Sequence, residues 1–133
     1  MRSTAPCVNL RLLPESYAVC RLDPAGEHRL PAAGSGSLYC LTRTPEELSL
    51  VCVENLVPPD VEVEREWSAM VVAGPLDFSL TGILASIAGP LAEAGIPLFA
   101  VSTYDTDYVL VKSDRARDAI AVLGAAGHTI VNE

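Results

Sequence analysis

A chain of 133 residues, half of them hydrophobic, has enough apolar side chain for a sizeable core in one domain or two very small ones. A net charge of −8 argues against a nucleic-acid partner, because phosphates are met by clustered Lys and Arg, and suits a soluble protein or one with cationic ligands. No apolar run reaches the roughly 18–20 residues that cross a bilayer, and no hydrophobic stretch of a signal peptide follows Met1–Pro6, so the sequence predicts a cytoplasmic protein with no membrane partner.

Cys7–Leu13 reads as a first strand, Pro14-Glu15 as a turn, and Tyr17–Leu22 as a second strand antiparallel to the first. Asp23–Gly36 is rich in Gly, Pro, Ala and Ser and has no apolar period, which predicts a loop or a very short helix. Ser37–Thr42 and Leu48–Val53 are two more strands. Between them Thr44-Pro45-Glu46-Glu47 has the residues of a one-turn helix start, with Thr at the N-cap and Pro at the first helical position. Glu54–Glu66, with Pro58-Pro59 and five acidic residues, marks an internal boundary; its alternating Glu62, Glu64 and Glu66 read as the solvent face of an edge strand. The four cysteines, Cys7, Cys20, Cys40 and Cys52, sit in apolar runs without a Cys-x-x-Cys pair and read as reduced core thiols, with zinc or disulfide pairing as the alternatives.

The second half changes period. Trp67–Ala73 is a strand. Leu80, Ile83, Leu84, Ile87 and Leu91 fall on one helix face, with Ser79 as N-cap, Gly95 as the stop and Pro90 as an expected kink. Ile96–Val101 and Tyr108–Lys112 are strands, Asp114–Gly124 is a helix with Ala116, Ala119, Ile120 and Leu123 inward, and Thr129–Val131 is a last strand. The order β-α-β-β-α-β predicts a four-stranded antiparallel sheet with both helices on one face. The strand-rich first half is the expected cover for the other face, and a second copy of the chain is a further candidate.

The polar hexad Ser102–Asp107 joins two apolar strands without the Asn-Gly or Asp-Gly of a tight hairpin. Its two carboxylates and several hydroxyls suit a small cationic ligand; the alternative is a polar loop whose Thr and Asp side chains cap their own backbone. A carboxylate would suit the N-terminus of the helix near Leu80, and Gly74 would permit close backbone approach. Asp105 or Asp107 would take an ammonium, and Tyr104 would wall an aliphatic stem. Asp77 and Asp107 have structural readings too, as dipole complement and turn cap. No phosphate-loop, dinucleotide or zinc-protease motif occurs, so no cofactor and no metal are expected. His28 reads as solvated and His128 as a surface or capping residue.

The runs Trp67–Phe78, Thr81-Gly82-Ile83-Leu84, Pro90–Ile96 and Ser102–Val111 resemble the ACT domain. More narrowly they resemble the small bacterial double-ACT proteins related to the cytosolic arginine sensor of the TOR pathway. Tyr17–Leu22 and Thr42–Cys52 look like that family's degenerate first unit. The resemblance implies an α+β fold of two ferredoxin-like (ACT) units with helices on one face of antiparallel sheets: a degenerate, strand-rich unit over residues 1–60 and an ACT domain over residues 61–133. It implies a non-catalytic regulatory module that binds a free amino acid or similar small ligand. Thr103, Tyr104 and Asp107 match ligand-holding positions, and Gly74 and Asp77 lie in the corresponding loop. With one ACT pair where the sensor has two, an equivalent site implies a homodimer. The competing functions are a ligand-free interaction module acting on a partner enzyme and a small enzyme with Asp105 and Asp107 as a carboxylate pair.

Overall fold

The computed structural model describes residues 6–26, 28, 30–31, 36–74 and 81–132. The strands are β1 (Asn9–Leu22), β2 (Cys40–Arg43), β3 (Leu48–Val53), β4 (Glu62–Val72), β5 (Phe99–Ser102), β6 (Asp107–Lys112) and β7 (Thr129–Asn132). The helices are α1 (Ile83–Glu93) and α2 (Ala116–Ala125), with short 3-10 turns over Glu54–Leu56 and Ser113–Arg115. The chain forms two compact units, Glu15–Trp67 and a discontinuous one made of Met1–Pro14 with Ser68–Glu133.

In the discontinuous unit the strand order is β7-β1-β4-β6-β5. β5 and β6 pair antiparallel with Ser102 opposite Asp107. β1 lies between β4 and β7 and runs parallel to β7, with Asn9 opposite Thr129 and Leu12 opposite Asn132. On the other side of β1, the Ala73 N–H donates to the Asn9 carbonyl at 2.8 Å. The β-α-β-β-α-β succession from β4 to β7 is therefore present, but its sheet is neither four-stranded nor wholly antiparallel. The start of the chain fills the place between the first and last strands of that succession. Residues 9–14, expected with the first half, are grouped with the second.

Both helices pack on one face of this sheet. Ile87 and Leu91 of α1 and Ala119 and Leu123 of α2 share a single buried cluster with Leu10, Met70, Val72, Val109 and Val111. Each helix ends on a glycine with positive φ, Gly95 at +72° and Gly127 at +103°. The next N–H reaches back six residues inclusive, from Ile96 to Leu91 at 2.9 Å and from His128 to Leu123 at 3.0 Å. This is the left-handed closure that glycine permits at the end of a helix.

The expected start of α1 at Ser79-Leu80 lies outside the described residues. Within them the helix begins at Ile83, behind Gly82 at φ 79°, without a side-chain cap. Pro90 sits inside α1 and has no N–H for the Ser86 carbonyl four residues back. His128 supplies that partner: its Nε2 lies 2.9 Å from the Ser86 carbonyl oxygen. Its Nδ1 accepts the Val8 N–H at 3.1 Å, which puts the ring proton on Nε2 and makes Nε2–H the donor to Ser86. His128 is only 5 % exposed, so the surface reading of this residue is corrected.

In the Glu15–Trp67 unit, β3 pairs antiparallel with both β1 (Tyr17 opposite Val53) and β2 (Arg43 opposite Leu48). Ala18, Cys20, Leu22, Leu48, Leu50 and Cys52 make its core. The unit has no α-helix among its described residues. Pro14 does not turn the chain: β1 runs straight through it, since φ near −65° fits an extended strand and the exposed proline forfeits one donor only. Thr44–Glu47 is the β2–β3 turn rather than a helix start. The Thr44 N–H donates to the Glu47 carbonyl at 2.9 Å, and the Thr44 hydroxyl accepts the Glu46 and Glu47 N–H groups at 3.2 and 3.1 Å. β4 begins at Glu62, five residues ahead of the expected Trp67, and takes in Glu62, Glu64 and Glu66.

All four cysteines are free, but only Cys20 and Cys52 are core thiols; Cys7 is exposed and Cys40 half-buried. The hydrogen bond with Cys20 and burial both push the Cys52 thiol up, so it stays a protonated hydrophobe. No helix among the described residues is long and apolar enough to cross a membrane.

Candidate functional site

The β5–β6 turn is built by its own side chains. The Thr103 N–H and hydroxyl donate to the Thr106 carbonyl at 2.8 and 3.0 Å, and the Thr106 N–H returns to the Thr103 hydroxyl at 3.2 Å. Below the turn the Ser102 hydroxyl donates to Asp107 Oδ1 at 2.7 Å. The Thr106 hydroxyl then reaches out of the turn and donates to the Val72 carbonyl at 2.6 Å, at the end of β4. That bond fixes the turn beside the β4 exit, where Gly74 lies.

Between them is a cleft of about 500 Å³. Its wall is Gly74 and Ala73 on one side and Thr103, Asp105 and Thr106 on another. Its floor takes Asn9 and Arg11 from β1, Val71 from β4, Tyr108 from β6 and Val131 from β7. Asn9 and Arg11 alternate with core-facing Leu10 and Leu12, so they leave β1 on the face away from the helices.

Of the five expected site residues, Gly74 and Thr103 line the cleft. Tyr104 stands at the turn tip, 80 % exposed, and is not among the lining residues. Asp107 also lies outside the lining and takes the bond from Ser102. Asp77 lies outside the described residues. The self-capping alternative holds for Thr103, whereas Asp107 takes a side-chain hydroxyl and Asp105 is the carboxylate of the hexad that lines the cleft. Sequence reasoning missed Asn9 and Arg11. Their alternation with Leu10 and Leu12 marks them as outward-facing, but nothing local places β1 beside the hexad.

A second cavity, of about 510 Å³, lies in the Glu15–Trp67 unit between Arg21–Asp23, His28 and Pro58–Glu62. Its polar groups serve the local backbone: Asp23 Oδ1 accepts the Ala25 N–H at 2.9 Å, His28 Nε2 donates to the Asp23 carbonyl at 2.7 Å, and Arg21 donates to the Glu46 carbonyl at 3.0 Å. Among the described residues no group of three His, Cys, Asp or Glu side chains is placed to hold a metal.

A sheet with two helices on one face, β-α-β-β-α-β succession and a cleft at a hairpin tip defines a ferredoxin-like α+β domain. A family model described as ACT domain matches residues 62–125, and a model of an N-terminal domain matches residues 15–60. CASTOR3P of Homo sapiens is 32 % identical over 125 residues, covering 82 % of this chain and 77 % of that protein. The chain belongs to the ACT-domain family. Cytosolic arginine sensor for mTORC1 subunit 1 of Homo sapiens is 43 % identical over 58 residues, which span 43 % of this chain and 18 % of the sensor. The crystal structure of protein Atu0741 from Agrobacterium tumefaciens is 39 % identical and superposes with a TM-score of 0.87, covering 97 % of this chain and 96 % of that one.

Proposed function

We propose that this chain is a non-catalytic regulatory module whose cleft between Gly74 and the Thr103–Thr106 turn binds a free amino acid or similar small ligand. The observation that carries the reading is the Thr106 bond to Val72, which holds a polar hairpin tip against the end of β4 and leaves a lined cavity between them. Membership of the ACT family and the likeness to an arginine sensor support it. In this reading Gly74 and Thr103 shape the cleft directly. Tyr104 and Asp107, of the same turn, and Asp77, three residues after Gly74 in the sequence, complete the site on ligand binding or across a homodimer. The Glu15–Trp67 unit is read as the degenerate ACT-like partner unit, and the protein as cytoplasmic.

The test is thermal unfolding in the presence of each of the twenty amino acids. A ligand that binds only the folded chain stabilises it by RT ln(1 + [L]/Kd), about 2.7 kcal/mol at a hundredfold excess over Kd. One or a few amino acids should raise the melting temperature by several degrees. A flat response to all twenty at millimolar concentration rejects the reading. The second reading, a ligand-free module that docks on a partner enzyme, draws on Tyr104, whose 80 % exposure at a hairpin tip suits an interface anchor. It predicts assembly sensitive to Tyr104→Ala and no amino-acid response.

A further inference from the structure

We infer that His128 is the positioning residue of the cleft: its ring holds the start of β1, which carries Asn9 and Arg11 into the floor, in place beside the end of β4, which carries Ala73 and Gly74 into the wall. That the cleft so held serves a small ligand rests on the amino-acid-binding reading above. The positioning itself is measurable on the ligand-free chain.

Val8 stands one residue ahead of the pairing of β1 with β7, which begins at Asn9 opposite Thr129. Both of its backbone groups are taken all the same. Its carbonyl accepts the Thr129 N–H at 3.1 Å, and its N–H donates to His128 Nδ1 at 3.1 Å. The imidazole stands in for the carbonyl that one more step of the ladder would have supplied. The ring is buried, and its Nε2–H is spent on the Ser86 carbonyl of α1 at 2.9 Å, so it cannot swing away from Val8 without stranding both partners.

What Val8 passes on is the position of Asn9. The Asn9 carbonyl points to the other neighbour of β1 and accepts the Ala73 N–H at 2.8 Å, the bond that joins floor to wall. Strand ends fray unless they are tied down. With no acceptor for the Val8 N–H, β1 frays toward Asn9, and the Ala73 bond is the next to open. Fraying there takes Asn9 out of the floor and releases the wall at Ala73. His128 lies outside the lining, so it acts on the cleft through Val8 and Asn9 and touches no ligand itself.

The experiment separates the two ring bonds in the full chain. In His128→Asn the side-chain oxygen sits at the level of Nδ1 and accepts the Val8 N–H, while the donor to Ser86 is lost; in His128→Gln the longer amide donates to Ser86 in place of Nε2, while Val8 loses its acceptor. Amide hydrogen exchange is read at Ala73, the junction of floor and wall, and at Ile96, whose N–H closes the end of α1 on Leu91 and reports overall stability. Relative to Ile96, Ala73 should exchange at least about tenfold faster in His128→Gln than in His128→Asn. If either variant fails to fold, the pair is compared in the Pro90→Ala background, where the restored helical N–H serves Ser86. Each of the twenty amino acids is then tested in thermal unfolding of the parent and both variants. Any that raises the melting temperature of the parent should raise that of His128→Asn equally and that of His128→Gln less. Equal Ala73 exchange in the two variants overturns the positioning role, and so do equal shifts in both where the parent responds. A parent that responds to none of the twenty rejects amino-acid binding alone, and the exchange rates still decide the role of His128.

Discussion

Pro90 leaves the Ser86 carbonyl without its helical donor, and His128 takes that carbonyl with one ring nitrogen while holding the Val8 N–H with the other. Three segments distant in sequence are thus tied by one buried imidazole. His128→Ala should cost about 2–3 kcal/mol, because it strands the buried Ser86 carbonyl and the partly buried Val8 N–H, and chemical denaturation would measure it. In a Pro90→Ala background the restored N–H can serve Ser86, so the His128→Ala penalty should shrink by about 1 kcal/mol. Equal penalties in the two backgrounds would show that the imidazole acts through packing alone. None of this was legible in the sequence, where Gly127-His128 near the chain end looks like surface. The clue was Pro90: a proline inside an amphipathic period always leaves a carbonyl to be satisfied by something.

At the scale of elements, local rules worked where the partner of each residue is a few positions away. The face Ile83, Leu84, Ile87, Leu91 and the stop at Gly95 were readable because a helix hydrogen-bonds to itself. The two helix-ending glycines are not equivalent. A Cβ on Gly127 would stand 2.8 Å from Cys7 Sγ, whereas one on Gly95 would meet nothing within 4 Å. Gly95→Ala should therefore cost about 1 kcal/mol, the left-handed backbone penalty alone, and Gly127→Ala distinctly more. Adding Cys7→Ala should recover part of the excess, as paired unfolding curves would show. Strand limits were less legible. Pro14 and Thr44-Pro45 carry the residue types of turns or helix starts, yet an extended proline is compatible with β1, and Thr44 caps a hairpin with the hydroxyl it would have used on a helix.

At the scale of the whole molecule, β1 and β4 each pass from one unit into the other, so the unit that holds both helices is assembled from two separate pieces of chain. The start of β1 gives the discontinuous unit Leu10 for its core, the Val8 N–H for His128 and Arg11 for the cleft. A chain beginning at Glu15 should lose the cooperative unfolding of that unit, since burial of Leu10 alone is worth about 2–5 kcal/mol, and with it any amino-acid response. Native-like amide dispersion of residues 68–132 in the truncated chain would contradict this.

Composition and period alone determined the α+β class, the two helices and the inward Ile87, Leu91, Ala119 and Leu123, and marked the polar hexad as a candidate site. These depend on residues close in sequence, where backbone geometry decides which side chains share a face. The insertion of β1 beside β7, the bridge through His128 and the convergence of Arg11 with Asp105 were decided by tertiary structure. Strand pairing draws partners from anywhere along the chain, and the alternation of a strand states which face a residue occupies without stating what lies across from it.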